Sequence, residues 1–388
     1  MTTPAWPRAD TPHSVSDAST GRRWPAPDGI PFLRAGREAL AGEALARLDA
    51  GDAEGALALL LADQDDWWRG PAADPADLRA LVRRRDALTL REAMALLGWG
   101  PVADYFAHRW SDPTFLAGLA LVEAHWAAPR TAFELACGIG HHLRELARRG
   151  VAVAGADVVF AKLWVARHWV LPKAGGGTGS PEARLICLDA AAEVWPVGGA
   201  FDLVACHDAL YFLEPKPAIL ARLRGLLDPA RGVLAVSHLH NRDWPNLSSG
   251  SAVTAEEVAA LFPAARLYDD AELTRALAEG RAPRPSAGPD ALRDAEAFAA
   301  VEGPGLPAAP RPVEGLLALP PPGAPLRRNP LYGADGRLAW PSERYAREYG
   351  PRATYPAATD APERAVLAGA ALAERARRRE LLDLPERW

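Results

Sequence analysis

The chain has 388 residues, of which 49% are hydrophobic and 24% are charged, and its formal net charge is −5. This composition is typical of globular domains and excludes a collagen-like or mostly disordered chain. Lys and Arg (44) nearly balance Asp and Glu (49), which argues against a nucleic-acid partner, because proteins that bind nucleic acid carry a basic excess. No apolar run approaches the ~18 residues that a membrane span needs, so we expect no membrane contact.

The N-terminal segment and the cysteines indicate a cytoplasmic location. The first 29 residues lack the apolar core of a secretory signal. They are rich in Pro, Ser, Thr and Asp, and we predict a disordered tail over residues 1–29. The three cysteines are an odd number, so they provide no disulfide framework and fit a reducing compartment.

Residues 30–127 are predicted to form an N-terminal helical domain. Apolar residues recur there at spacings of three and four, as a helix buried on one face requires. Gly51 is expected to end the first helix of an antiparallel pair, and Asp52 to cap the second. Four more helices are predicted within residues 73–87, 89–98, 101–110 and 112–126. We find no repeat of fixed period and interpret the segment as a helical cap.

From Thr131 onward, short apolar runs alternate with amphipathic stretches. The runs TAFELACG, VAVAGAD, ARLICLD, FDLVACHD and GVLAVSHLH predict five strands with helices between them. This alternation indicates an α/β fold with a doubly wound, mostly parallel sheet covered on both faces. The helix TAEEVAALFP follows, and AARLYDD and EAFAAVEG predict a last strand pair. We assign residues 128–303 to this domain.

The remaining chain is a Pro-rich C-terminal extension. Residues 304–362 contain 13 prolines, which exclude long helices and central strands. The segment also carries Tyr332, Trp340, Tyr345 and Tyr349, and free linkers seldom hold so many large rings. We therefore predict a strap that is packed on the protein. The amphipathic pattern of residues 363–388 predicts a C-terminal helix.

A glycine-rich turn follows the first predicted strand of the sheet. Its sequence, Glu134-Leu-Ala-Cys-Gly138-Ile-Gly140, lies where open parallel sheets bind their ligands. A dinucleotide fingerprint would place a small residue three positions after its second glycine, but Leu143 stands there. The Glu134 carboxylate would repel a pyrophosphate and attract an ammonium group. The turn therefore predicts a ligand with a cationic end.

Two further carboxylates follow the neighbouring strands. Asp157 comes 17 positions after Gly140, at the end of the second strand, where a carboxylate can accept both hydroxyls of a ribose. Asp189 ends the third strand and can accept a hydrogen bond from an exocyclic amine such as that of adenine. The three carboxylates together describe a ligand composed of an amino-acid ammonium, a ribose and an adenine.

This pattern resembles the Rossmann-like S-adenosylmethionine-dependent methyltransferases over about residues 131–263. ELACGIG is similar to the first motif of that family, although Ala136 replaces the usual first glycine, and FDLVACHDALYFL is similar to its fourth-strand motif. The resemblance implies a Rossmann-like fold, S-adenosyl-L-methionine as cofactor and transfer of its methyl group to a nucleophile. The cofactor-binding residues it implies are Glu134, Ala136, Gly138, Gly140, Asp157, Val158, Asp189, Ala190 and His207.

The acceptor is expected at the ends of the fourth and fifth strands. His207, Asp208 and Tyr211 follow the fourth strand, and His238 and His240 end the fifth. An oxygen acceptor usually needs a general base, and a histidine titrating near neutral pH suits that task. We predict His207 or His238 as this base.

The same residues offer an alternative. Alternate residues of a strand point to one face, so His238 and His240 could share a divalent metal ion with Asp208 and Asp243. No other cluster of metal ligands supports this alternative, and we expect no metal ion.

The sequence thus predicts a cytoplasmic methyltransferase that acts on an oxygen or nitrogen of a small-molecule acceptor. A nicotinamide-dependent oxidoreductase is an alternative enzyme, disfavoured by Leu143 and Glu134. A non-catalytic scaffold or regulator that binds S-adenosylmethionine is the alternative outside the enzymes. The identity of the acceptor and the oligomeric state, a homodimer included, stay open.

Overall fold

A seven-stranded sheet forms the centre of the computed structural model, which describes residues 6–16, 21–172, 182–245 and 250–388. In chain order, the strands of these ranges are β1 (Arg8–Thr11), β2 (Ser14–Ser16), β3 (Arg23–Pro25), β4 (Thr131–Leu135), β5 (Ala152–Asp157), β6 (Arg184–Cys187), β7 (Leu203–His207), β8 (Val233–His240), β9 (Arg266–Asp269), β10 (Ala297–Glu302), β11 (Pro325–Arg328), β12 (Arg364–Val366) and β13 (Leu381–Leu382).

The helices lie before, between and after these strands. They are α1 (Glu38–Asp49), α2 (Ala53–Leu61), α3 (Pro75–Arg84), α4 (Leu90–Leu96), α5 (Pro101–His108), α6 (Pro113–Ala124), α7 (His141–Ala147), α8 (Phe160–Val165), α9 (Lys216–Gly225), α10 (Ala255–Leu261), α11 (Asp270–Glu279), α12 (Glu343–Tyr349) and α13 (Gly369–Arg377). Within the described ranges, no helix combines the length and the apolar character that crossing a bilayer requires.

The central sheet has the order β6-β5-β4-β7-β8-β10-β9. The first five strands are parallel, and β10 and β9 complete the sheet in antiparallel pairing. This confirms the predicted mostly parallel sheet and its last strand pair. The chain proceeds outward from β4 through β5 to β6 and then returns to β7 on the other side of β4. Open parallel sheets bind ligands at such a reversal, outside the carboxyl ends of the strands.

The N-terminal helices share a core with the sheet. Every residue of α6 is buried, and apolar residues of α2, α4 and α6 belong to the same cluster as Val233 and Ala235 of β8. A helix that is apolar all round is expected in such a buried layer. The boundary predicted between residues 127 and 128 therefore does not separate two independent cores, and α6 covers one face of the sheet.

The prediction of a disordered tail over residues 1–29 does not match residues 8–16 and 23–25, whereas residues 1–5 and 17–20 lie outside the described residues. Strands β1, β2 and β3 form an antiparallel sheet there, and Trp24 is only 8% exposed. Immediately afterwards, the backbone N–H of Leu33 donates to the carbonyl of Cys187 at 2.8 Å, so the chain continues along the edge of β6. The polar composition of the segment hid the few apolar residues, such as Val15 and Trp24, that anchor it.

The C-terminal extension is packed on the protein. Leu331, Tyr345, Tyr349 and Tyr355 form a buried cluster. The predicted helix over residues 363–388 is too long, because α13 occupies only its middle and β12 and β13 pair with β11 on either side. Gly369 (φ +74°) and Arg379 (φ +58°) adopt the left-handed conformation at the two ends of α13, which interrupts a right-handed helix.

Glu123 of α6 anchors the C-terminal extension to the sheet layer. Its carboxylate accepts the backbone N–H groups of Gly315 at 2.7 Å and of Leu317 at 3.0 Å. Glu123 is 4% exposed, so these charge-assisted hydrogen bonds form where water cannot replace them. They tie the start of the C-terminal extension to a helix almost 200 residues earlier, at a sequence separation of 192 and 194.

Replacing Glu123 by alanine is expected to lower the free energy of unfolding by about 3 kcal/mol, because two buried N–H groups lose their acceptor. Chemical denaturation measures this change. Glu43→Ala on α1 is the matched control, since its carboxylate is 53% exposed and pairs only with Arg47 among the ion pairs of the described chain. Its effect should stay below about 0.5 kcal/mol. A Glu123→Ala effect no larger than the control would contradict the anchor.

Candidate active site

A cavity of about 630 Å³ opens at the carboxyl ends of β4, β5, β6 and β7. Its volume lies within the roughly 300–1,000 Å³ of small-molecule sites. Eight of the nine residues expected to hold the cofactor line it: Glu134, Ala136, Gly138, Asp157, Val158, Asp189, Ala190 and His207. The ninth, Gly140, lies in the same turn, precedes α7 with φ +82° and does not border the cavity.

The glycine-rich turn is fixed by the carboxylate of Asp157. Its Oδ2 accepts the backbone N–H of Gly138 at 2.9 Å, and its Oδ1 accepts that of Val159 at 2.9 Å. Both Ala136 and Gly138 have φ +55°, a conformation that costs an alanine more than a glycine. Each oxygen of Asp157 retains a second lone pair, so the carboxylate can hold the turn and still accept a ligand hydroxyl.

Glu134 presents an unsatisfied carboxylate to the cavity. Its Oε1 lies 3.3 Å from Nδ1 of His142, whereas its Oε2 has no hydrogen-bond partner within the described part of the chain. Burial raises the pKa of this carboxyl to about 7. A buried carboxylate oxygen without a donor is costly. A ligand ammonium at this position would supply the missing donor, so the residue fits a cationic ligand end.

Two neutral histidines pack against each other at a tilted angle, and His142 lies next to Glu134. The rings of His142 and His207 are 4.2 Å apart between centroids, and Nδ1 of His207 lies 2.8 Å from Oγ of Ser237. Burial lowers the pKa of both imidazoles to about 3, so both are neutral near pH 7. Helix α6 approaches them closely at Gly118, where a Cβ atom would lie 2.6 Å from Nε2 of His142.

A buried charge cluster around Asp208 forms the opposite side of the cavity. Arg109 contacts Asp208 at 2.9 Å and Asp112 at 3.2 Å. The hydroxyls of Tyr105 and Tyr211 donate to the two oxygens of Asp208 at 2.9 and 3.1 Å. Burial raises the pKa of Asp208, but Arg109, His238, His240 and the hydrogen bond from Tyr105 together outweigh burial and lower it to about 2. This carboxylate is therefore ionised near neutral pH.

The two predicted bases occupy different places. His207 borders the cavity, whereas His238 lies behind Asp208, with its Nε2 4.0 Å from Oδ1 of that residue. Nδ1 of His238 is 2.8 Å from Oδ2 of Asp270. Burial lowers the pKa of His238, but the carboxylates of Asp270 and Asp208 outweigh burial and raise it. Of the two histidines, only His207 can meet a ligand in the cavity directly.

Part of the cavity wall was missed by sequence reasoning. Tyr105 and Arg109 come from the end of α5 and the turn after it, and Tyr345 and Tyr349 come from α12. These elements flank the predicted sheet domain on both sides in sequence. One signal was available, because Arg109 is a charged residue beside the large rings of Phe106 and Trp110 in the predicted helix 101–110. The ring pattern of the C-terminal extension predicted packing but not its place.

Comparison with known protein families finds a match within the sheet. Residues 133–236 match a family model described as a methyltransferase domain. No curated protein matches the chain.

Several solved structures are similar to part of the chain. One is the amino pentose methyltransferase CalS10 from Micromonospora echinaspora with bound SAM (27% identity, 34% of this chain and 52% of that chain, TM-score 0.26). A second is the methyltransferase CcbJ from Streptomyces caelestis (23% identity, 36% of this chain and 57% of that chain, TM-score 0.29). A third is magnesium protoporphyrin IX methyltransferase from Synechocystis PCC 6803 (16% identity, 42% of this chain and 73% of that chain, TM-score 0.31). The chain spans little more than half the length of the first two.

The buried carboxyl of Glu134 predicts a pH-dependent stability. Its pKa is about 7 in the folded, ligand-free protein against an ordinary 4.5, so folding favours the protonated form. The contribution of protonated Glu134 to the stability of the fold is complete below the ordinary pKa. It is lost as the pH rises through the pKa of the folded protein. The side chain in Glu134→Gln cannot ionise. We therefore expect the free energy of unfolding of this variant, relative to that of the wild type, to rise by about 3 kcal/mol as the pH is raised from about 4 to about 8.

Urea unfolding of the ligand-free protein across this pH range measures the gain. The exposed Glu193 provides the control, because Glu193→Gln should differ from the wild type by the same small amount at every pH. A stability difference for Glu134→Gln that does not change with pH would refute the burial of an ionisable, unpaired carboxyl.

Proposed function

We propose that this protein transfers a methyl group from S-adenosylmethionine to an oxygen or nitrogen of a small molecule. The match of residues 133–236 to a methyltransferase domain supports the proposal. The observation that carries the proposal is that Glu134 and Asp157 border one cavity beside a glycine-rich turn at the reversal of the sheet. Both are carboxylates, which can accept hydrogen bonds from the ammonium group and from the ribose hydroxyls of this cofactor.

The cofactor half of the cavity would be formed by the strand ends. When bound, S-adenosylmethionine supplies an electrophilic methyl group on a sulfonium. Oε2 of Glu134 would accept the ammonium, and the outer lone pairs of Asp157 would accept the ribose hydroxyls. Asp189 and Ala190, at the end of β6, would border the adenine. The carboxyl of Asp189 already accepts the backbone N–H of Ala191 at 2.8 Å, which holds it in place.

The lining of the acceptor half favours a small and partly apolar acceptor molecule. Tyr105, Tyr211, Tyr345 and Tyr349 line it together with Phe212. The ring of Trp67, which is 45% exposed, lies 5.5 Å from that of Phe212 at the rim. Helices α5 and α12 close over this side, which favours a compact acceptor over an extended polymer. Aromatic walls with one buried polar cluster are typical of sites that orient a flat ligand by a single polar group.

His207 is the better candidate for the general base. It borders the cavity and is neutral near pH 7, so its ring can take a proton. Its Nδ1 faces Ser237, which leaves Nε2 as the atom that would receive the proton of the acceptor. With a pKa of about 3 in the ligand-free protein it is a weak base. It therefore suits an acidic phenol or a nucleophilic amine, for which positioning supplies much of the rate.

A reducing compartment such as the cytoplasm completes the proposal. Cys137, Cys187 and Cys206 are all buried free thiols, a state that persists where disulfides are not formed.

Asp157→Ala and Glu134→Gln should each weaken the binding of S-adenosylhomocysteine by at least about tenfold, because each loses a charge-assisted hydrogen bond. Isothermal titration calorimetry measures this directly. Asp290→Asn, at a position whose carboxylate is 90% exposed, should bind like the wild type. Undetectable binding to the wild-type protein, or wild-type affinity in both site variants, would end the proposal.

His207→Asn should lower kcat by about 100-fold, because asparagine provides no basic ring nitrogen to take the proton of the acceptor. The assay follows S-adenosylhomocysteine release with a panel of phenols and amines. His13→Asn, at a side chain 31% exposed and distant in sequence from the cavity residues, is the control. An unchanged kcat would remove His207 as the base. Cofactor binding without turnover of any acceptor would favour the non-catalytic alternative.

A further inference from the structure

Three potential metal ligands converge behind the acceptor side of the cavity. Asp208 follows β7, and His238 and His240 end β8, and each offers one ligand atom within 4.8 Å of the other two. The rings of His238 and His240 lie 4.8 Å apart between centroids, so the two imidazoles are adjacent at the end of β8. The parallel pairing of β7 and β8 brings the carboxylate to that end, since His207 is in register with Ser237.

His240 is a buried imidazole whose ring nitrogens have no hydrogen-bond partner among the surrounding described residues. It is 4% exposed. Its ring packs edge-on against Tyr211 at 4.2 Å and against His238 at 4.8 Å between centroids. A buried imidazole without partners is costly, and a hydrophobic ring would fill the same space without that cost.

The groups behind the other two ligands orient them for an ion. Nδ1 of His238 is held at 2.8 Å by Asp270, which leaves Nε2 directed toward Asp208. Metal-bound histidines generally donate their second nitrogen to a carboxylate in this way. On the other side, Arg109 and Tyr105 hold Oδ2 of Asp208, while Oδ1 lies nearer to His238.

The charges around the three ligands leave room for a divalent cation. Arg109 pairs with Asp112 and Asp208, and Arg352 lies 3.3 Å from Asp270 and 2.9 Å from Glu296. Four carboxylates and two guanidinium groups leave a formal charge of −2 when both imidazoles are neutral. The backbone is also left-handed at Asp208 (φ +50°) and His238 (φ +53°), and such strain in non-glycine residues concentrates at functional sites.

We propose that Asp208, His238 and His240 bind one divalent first-row transition-metal ion beside the acceptor side of the cavity. Two imidazoles and one carboxylate suit Zn²⁺, Fe²⁺ or Co²⁺ better than Mg²⁺ or Ca²⁺, which prefer oxygen ligands. With metal–ligand bonds of about 2.1 Å, ligand atoms lie roughly 3–4 Å apart, so the widest pair must close by about 1 Å. Asp243, the fourth ligand considered from the sequence, is exposed and is not in the cluster. The proposal revises the expectation of no metal ion.

Co²⁺ titration of the full-length, EDTA-treated protein tests the site without any activity measurement. We expect one Co²⁺ per chain, visible d–d absorption of an ion with nitrogen ligands, and displacement by Zn²⁺. His240→Phe keeps the ring and its packing but removes both nitrogens. Loss of a residue that only orients a metal ligand weakens metal binding by about 10–100-fold. His240→Phe should weaken Co²⁺ binding by more than this. Asp270→Asn should fall within that range, and Asp243→Asn should bind like the wild type.

Absence of d–d absorption in the wild-type protein would overturn the proposal, as would wild-type affinity in His240→Phe. The wild-type titration decides even if His240→Phe does not fold. Binding of S-adenosylhomocysteine, measured on the same preparations, separates this outcome from failure of the methyltransferase proposal, because the cofactor residues Glu134 and Asp157 are not among the metal ligands.

Discussion

The carboxylate of Asp157 is the contact on which the cofactor half of the site depends. It joins the glycine-rich turn after β4 to the end of β5 through the N–H groups of Gly138 and Val159. The turn contains left-handed residues on both sides of Cys137, a conformation that would not persist without such a partner. Because the same carboxylate borders the cavity, the group that shapes the turn also faces the ligand.

Sequence reasoning located this half of the site because its information is local. Glu134, Gly138 and Asp157 follow strands that read as continuous apolar runs, and the carboxyl ends of parallel strands meet at one edge. Helix α11 was missed although its signals were present, since Asp269 caps its start and Gly280 ends it in the left-handed conformation. The capping residues carried information that hydrophobic periodicity alone did not.

Sequence reasoning found His207, Asp208 and Tyr211 on the acceptor side, but the residues that lie outside the sheet domain could not be predicted, because they are brought to the cavity over long sequence distances. Tyr105 meets Asp208 across 103 residues, and Arg352 meets Asp270 across 82. Composition was also misleading at the ends of the chain. The polar N-terminal stretch forms β1–β3 with Val15 and Trp24 buried, and the Pro-rich segment supplies α12 with Tyr345 and Tyr349 to the cavity. In each case a few aromatic residues outweigh the average character of the segment.

Asp208 shows why the family of the central domain does not determine the substrate. The carboxylate follows β7, inside the methyltransferase domain, but Tyr105 and Arg109 that hold it come from before the domain. Arg352, which pairs with the carboxylate behind His238, comes from after it. The sheet thus provides an acidic group whose ionisation and orientation depend on the flanking segments as well as on Tyr211. The surroundings of Asp208 are therefore assembled from the whole chain, because residues 133–236 alone lack Tyr105, Arg109, Tyr345, Tyr349 and Arg352.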